Sequence, residues 1–273
     1  MNIFEMLEKR ELNPNDEFYR LAKIFNEKHW FNFKRATCSL KDIFNETFYK
    51  CNCRSTFLSV DDLFKSLRIE ENNPFNISWK KLFTYCEILR NVCNNSFYYD
   101  IEVVEFEKYS CMLKKNMDEI LTKTNHEWAQ IKEGYIIVDK NPATTEAIEC
   151  LEDNKADLAL NMIEYNRVLL KGNLTRKREI LVALADYTEP MNNDFKGTQY
   201  AALYSDSRFL VNANDIRHNN SGKGDLPEKA KSWTSQEKED WYDKTYQVLL
   251  TVILARKHID VSKEIQDLKP ARK

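Results

Sequence analysis

Glycine and proline are scarce in this chain, at 5 and 6 of its 273 residues. All-β folds spend glycine on turns, and glycine-rich phosphate loops spend it on close backbone approach, so both are disfavoured and helix is favoured. There is no internal repeat and no low-complexity linker. Walker-type phosphate loops, H-E-x-x-H zinc helices and G-x-S-x-G elbows do not occur. Net charge is also missing: 41 basic residues face 43 acidic ones, giving −2. A uniformly basic nucleic-acid binder is thereby excluded, and any contact with RNA must come from a local patch. No run of about 18 apolar residues exists, so no membrane span is expected. The opening "MNIFEMLEKRELNPNDEFY" carries acids where a signal peptide would carry an apolar stretch, which predicts a cytoplasmic protein.

Apolar residues make up 42% of the chain, sufficient for a sizeable core. Seven cysteines (38, 51, 53, 86, 93, 111 and 150) all lie in the first 150 residues. In a cytosolic setting they are expected to be reduced and mostly buried. His29, Cys38, Cys51 and Cys53 offer soft ligands, but one intervening residue is too tight for a zinc knuckle and no second pair follows. Cys86, Cys93 and His126 fall on other predicted elements. No metal and no cofactor is therefore expected.

The first hundred residues are rich in aromatics and asparagine. Ser39 is placed to cap a helix whose Leu40, Ile43, Phe44 and Phe48 share a face, and Ser59 to cap one with Asp61 and Asp62 in its first turn. Ser78 can start a third, with Leu82, Cys86, Leu89 and Val92 recurring every three or four residues. A longer helix is predicted from Asp100 to about Leu121. "GYIIVDKNPAT" (Gly134 to Thr144) is β-branched and aromatic, then broken by Asn141-Pro142; it predicts a brief strand or an extended connector. The predicted organisation is a helical N-terminal domain over 1–133, a short extended connector over 134–149, and a helical bundle over 150–273. In the bundle, one or two helices should end at Gly172, and another should run from Leu174 to before Pro190, with Ile180, Leu181, Leu184 and Tyr187 inward. A third should cover about Gln199 to Ile216. The last should begin at a capping box, Thr234 with Glu237, and carry a stripe of Trp241, Tyr242, Thr245, Val248, Leu249, Val252 and Ile253. The fold class is mainly α, with at most a short strand near 134–139.

The stretch "FLVNANDIRHNNSGKGD" (Phe209 to Asp225) places Arg217, His218 and Asn219 where helix gives way to loop. A guanidinium holds phosphate through two parallel hydrogen bonds. A histidine near neutral pH moves protons, and an asparagine can orient either group. RNA cleavage without metal needs these parts; equally, Arg217 can pair with Asp206 or Asp215 while the asparagines end a helix. A second candidate is the basic run Arg167, Lys171, Arg176, Lys177 and Arg178, which is either an RNA-binding patch or a solvated helix surface flanked by Glu164 and Glu179. Trp241, Tyr242 and Tyr246 can stack on bases or fill the bundle core. Asp240 and Asp243 would meet Arg217 if the last two helices pack together.

The segments "EYNRVLLKGNLTRKREILVALADYTEP", "NANDIRHNN" and "EDWYDKTYQVLLTVIL", in that order and spacing, resemble the C-terminal part of bacterial proteins grouped with abortive-infection proteins and the HEPN superfamily (higher eukaryotes and prokaryotes nucleotide-binding). The resemblance covers roughly residues 155–257. It implies an antiparallel four-helix bundle, usually a homodimer, in which paired motifs share one cleft. Many such proteins are metal-independent RNases acting in phage defence or as toxins, with an antitoxin or a phage-derived trigger as partner. Others serve as non-catalytic dimerisation or binding modules. The family motif is Arg, a polar residue, three to five residues, then His. Arg217 matches the first position and His218 the second. The motif's second His would fall near 221–223, which hold Ser221, Gly222 and Lys223. Either His218 supplies the acid-base group from a different place, or the site does not cleave RNA.

Overall fold

The computed structural model describes residues 11–32, 34–51, 55–71, 76–94, 104–152, 154–214, 216 and 232–269. The chain divides into two compact units, Met1–Lys140 and Asn141–Lys273. Most described residues are helical, and the rest of the regular structure is two small antiparallel sheets.

The first unit opens with α1 (Pro14–Asn26), capped by Asn13, whose side chain accepts from the Asn15 N–H. A hairpin follows, β1 (His29–Phe31) with β2 (Ala36–Cys38). Then come α2 (Leu40–Thr47) and α3 (Val60–Ser66). Ser39 and Ser59 cap these two as their sequence predicts, Ser39 in a reciprocal box with Asp42. The apolar i, i+3, i+4 spacing places Phe18, Leu21 and Phe25 of α1 and Ile43 and Phe44 of α2 in a common core. Rings pair across it, Phe18 with Tyr85 at 4.5 Å and Phe25 with Phe44 at 5.9 Å. Tyr85 belongs to α4 (Trp79–Asn94), whose Leu82, Cys86, Leu89 and Val92 are buried as predicted. Next is α5 (Val104–Lys123); its predicted start at Asp100 lies outside the described residues.

The unit closes with a second hairpin, β3 (His126–Ile131) and β4 (Gly134–Asp139), joined by the two-residue turn Lys132-Glu133. The expectation of at most one strand near 134–139 is therefore corrected: that strand exists, and β1, β2 and β3 accompany it. A strand of three residues has too few positions to show alternation, and "HEWAQI" becomes a strand by pairing with β4 rather than by its own pattern. The expected connector over 134–149 is likewise replaced. Its first part is β4 and its second is α6 (Pro142–Glu149) in the second unit. Asn141-Pro142 starts a helix here: the Asn141 side chain caps the Thr144 N–H, and proline at the first position forfeits no helical hydrogen bond.

The second unit continues with α7 (Ala156–Tyr165), α8 (Leu174–Thr188), the single turn α9 (Asn192–Phe195), α10 (Ala201–Ala213) and α11 (Ser235–Leu268). Gly172 stands at φ +86° just before α8, in the left-handed region that only glycine enters freely. The predicted capping box of Thr234 and Glu237 starts α11, which at 34 residues is roughly 51 Å long. α11 forms the spine of the core. Its Tyr242, Tyr246, Leu249, Leu250 and Ile253 pack with Met162 and Tyr165 of α7, Ile180, Leu181 and Leu184 of α8, and Val211 of α10. α10 runs antiparallel to α11: Tyr200 meets His258 at one end and Asn214 meets Thr245 at the other. α8 runs alongside α11 in the same sense, Lys177 meeting Asp243 and Asp194, beyond the end of α8, meeting Arg256. None of the described helices is long and apolar enough to cross a membrane.

Among the described cysteines, Cys38, Cys86, Cys93, Cys111 and Cys150 are free thiols, whereas Cys51 is disulfide-bonded, against the expectation that all are reduced. Burial pushes the Cys93 thiol up to about 12 and the Cys86 thiol higher still, so both are inert core groups. Cys111 is exposed and Cys38 and Cys150 are half-buried, so burial holds for fewer of them than expected.

Candidate functional site

Arg217, His218 and Asn219 lie outside the described residues. Their anchor points are described. Ile216 is buried, its N–H bonded to the Val211 carbonyl. Asn214 is 1% exposed and donates to Thr245 Oγ1 of α11 at 3.0 Å and to the Leu210 carbonyl at 2.8 Å. Its Oδ1 is buried with no hydrogen-bond partner among the described residues. The end of α10 is therefore fixed against α11, which starts at its cap Thr234.

Polar groups concentrate at that end of the bundle. Lys177, on the first turn of α8, is 3% exposed. Its Nζ donates to Glu239 Oε1 at 2.8 Å and Asp243 Oδ1 at 2.7 Å and stands 5.2 Å from the centre of the Tyr165 ring. The Tyr165 hydroxyl also donates to Asp243 Oδ1, at 2.9 Å, and its ring stacks on Tyr246 at 3.9 Å. Burial, and then the Asp243 charge, push the Tyr165 phenol up, so it remains a donor. Behind it the Tyr246 hydroxyl donates to the Met162 carbonyl and accepts from Asn166 Nδ2, each at 2.9 Å. With its proton so placed, it must accept from Thr144 Oγ1, also at 2.9 Å. Lys177, Tyr165, Tyr246, Asn166 and Thr144 all find hydrogen-bond partners within this network, which helps to hold the helices in one register.

The predicted RNA-binding run is thus drawn inward in part. Arg176 donates through Nε and Nη2 to Glu164, through Nη1 to Glu179, and through Nη2 to Asn161. Lys177 is buried in its ion pairs. Arg167, Lys171 and Arg178 are described and engaged, Arg167 with its Nε buried and without a hydrogen bond. Asp243 Oδ1 accepts from Lys177 and Tyr165, and the expected meeting of Asp240 and Asp243 with Arg217 lies outside the described residues. Tyr242 and Tyr246 are core residues, and Trp241 stacks on Trp233 at 5.3 Å with Lys244 Nζ over its face at 4.3 Å. Among the described residues no three of His, Cys, Asp and Glu gather as a metal site.

The acids in this network give a pH dependence. Hydrogen bonding from Arg176 holds the Glu164 carboxyl below its ordinary value of 4.5. Burial alone would raise Glu239, but the Gly172 N–H and the Lys177 ammonium outweigh it and hold this carboxyl low as well. A carboxyl lowered on folding stabilises above its unfolded value and loses that contribution as pH falls through the folded one. The second unit should therefore lose stability as pH drops below 4.5, and Glu239→Gln should flatten that dependence. Chemical unfolding followed by circular dichroism at a series of pH values measures it; parallel profiles for the two proteins would contradict the assignment.

A cavity of about 510 Å³ opens between the end of α8, α9 and α10. It is lined by Arg208, Asn212 and Ser205 of α10, Asn192 and Phe195 of α9, and Glu189 and Lys196 beside them. Sequence reasoning missed it because its residues come from three short segments, and only the asparagines of "PMNNDF" hint at it. Comparison of the chain with protein-family models, with curated proteins and with solved structures finds no match in any of the three.

Proposed function

We propose that the second unit is a metal-independent endoribonuclease of a bacterial phage-defence or toxin-type system. In this reading Arg217 holds and stabilises the scissile phosphate, His218 moves the proton from the attacking 2′-hydroxyl or to the leaving oxygen, and Asn219 orients one of them. The supporting observation is the residue set itself: a guanidinium, an imidazole and an amide in succession at Arg217, His218 and Asn219. The resemblance to HEPN proteins supports the same reading, including a homodimer that pairs two such sites. The RNA-guiding role proposed for the basic run must act through side chains that already have partners within the protein: Arg176 and Lys177 are paired with acids, and Arg167, Lys171 and Arg178 are engaged as well.

The test compares cells expressing the wild-type chain with cells expressing Arg217→Ala plus His218→Ala, with total RNA resolved from both. Growth arrest and RNA fragments are expected from the wild type alone. Equal growth and intact RNA would remove the nuclease reading.

A second reading has its own support. The pairing of Arg176 and Lys177 within the protein, and the lack of the motif's second His at 221–223, suit a non-catalytic helical dimerisation or binding module that engages an antitoxin or phage-derived trigger. That module would keep its partner binding after His218→Ala, measured by co-purification and by sedimentation.

A further inference from the structure

We infer that the cavity between α8, α9 and α10 is a nucleotide subsite for single-stranded RNA, seating one phosphate and one base. The cations come first. Arg208 spends Nη1 on the Ala185 carbonyl at 3.1 Å, and its Nη2 stands 3.9 Å from Glu189, too far for a hydrogen bond. Its Nε and Nη2 remain as a fork for two phosphate oxygens. Lys196, held by Asn193 Oδ1 at 2.9 Å, adds a second charge at the same cavity. Glu189 is the one carboxylate of the lining, so the cavity is net positive in a protein of net charge −2.

Two uncommitted amides follow. Asn192 and Asn212 both line the cavity, and neither side chain is hydrogen-bonded among the described residues. A side-chain amide offers a donor and an acceptor side by side, the pattern that reads a base edge. Ser205 supplies a hydroxyl within reach of a ribose. Phe209 is 62% exposed. It sits four residues after Ser205 and three before Asn212, so helical spacing places it at the rim of the same face. An exposed aromatic beside cations and free amides is the arrangement that stacks unpaired bases. The cavity is also large enough for a nucleotide.

This inference deepens the nuclease reading and rests on it for the choice of RNA. The probe is a fluorescein-labelled ten-nucleotide single-stranded RNA, titrated by anisotropy into the full chain carrying Arg217→Ala and His218→Ala, so that the probe stays intact. Phe209→Ala and Asn212→Asp should each weaken binding about tenfold, with thermal unfolding unchanged. Arg208→Gln should lower the slope of log affinity against log salt by about 0.7, the mark of one lost phosphate contact on a single strand. No binding by the parent protein, or equal affinity in all variants, overturns the subsite. Cleavage assays on the chain with Arg217 and His218 restored separate the two ideas. Cleavage that ignores the cavity variants removes the subsite and keeps the nuclease; binding at the cavity without any cleavage does the reverse.

Discussion

Lys177→Ala is expected to destabilise the second unit by about 3 kcal/mol, near the lower end of what breaking a buried ion pair costs. The lysine is 3% exposed, so its ammonium owes nothing to water and everything to Glu239, Asp243 and the Tyr165 ring. Removing it leaves the Glu239 side chain, itself 12% exposed, with only the Gly172 N–H as a partner. Asp243 is half exposed and can return to solvent, which is why the cost falls short of the upper bound. Lys177→Met keeps the apolar stem but strands the same carboxylate. Pairing it with Glu239→Gln should recover much of the loss, because replacing both charged partners of a buried pair by neutral groups is commonly close to neutral. Hydrogen exchange read on peptides of α8 and α11 reports the unit within the whole chain, and a loss of this size accelerates exchange about a hundredfold. If Lys177 served RNA instead, Lys177→Met would leave exchange unchanged and reduce only the salt-dependent binding of RNA.

Lys177 also shows where the sequence is legible and where it is not. Caps are local, so Ser39, Ser59 and Thr234 could be found from neighbours within three residues, and the structure carries all three. The apolar stripe of α11 needed only periodicity. Of the two acids that neutralise Lys177, Glu239 and Asp243, the latter lies 66 residues further on, beyond any spacing rule, so "TRKRE" reads as a basic patch while Arg176 and Lys177, two of its three basic residues, are paired with acids. The same distance effect hid the cavity, whose Glu189, Asn192 and Arg208 belong to separate elements. Strands failed for a related reason, since β3 is defined by β4 more than by its own residues. Asn141-Pro142 was a local signal with two meanings, a stop or a capped start, and only the packing of α6 against α11 decides between them. The Arg217-His218-Asn219 triple stands apart from both kinds, because it lies outside the described residues and rests on residue chemistry and resemblance alone.

In the first unit the largest effect is expected from Asn91, whose replacement by alanine should cost about 2–4 kcal/mol. β4 is an edge strand on the side away from β3, and α4 covers that edge with side chains in place of a third strand. Asn91 Oδ1 accepts from the Tyr135 N–H and Asn91 Nδ2 donates to the Tyr135 carbonyl, both at 2.7 Å. One turn earlier, Glu87 Oε1 accepts from the Ile137 N–H at 2.9 Å. The match is metric: residues four apart on a helix stand about 6 Å from each other, and residues two apart on a strand about 6.7 Å. Gly134 completes the device. A β-carbon there would sit 2.1 Å from Asn91 Oδ1, and its φ of +146° excludes other residues without strain. Gly134→Ala must therefore expel the Asn91 side chain. The two substitutions remove the same hydrogen bonds, so they should not add: Asn91→Ala introduced into the Gly134→Ala protein should cost markedly less than in the wild type, with a coupling of about 1–3 kcal/mol. A double-mutant cycle by urea unfolding, checked by exchange on the β3–β4 peptides, measures it. Strict additivity would mean that α4 and β4 are held by their apolar contacts and that the amide is incidental.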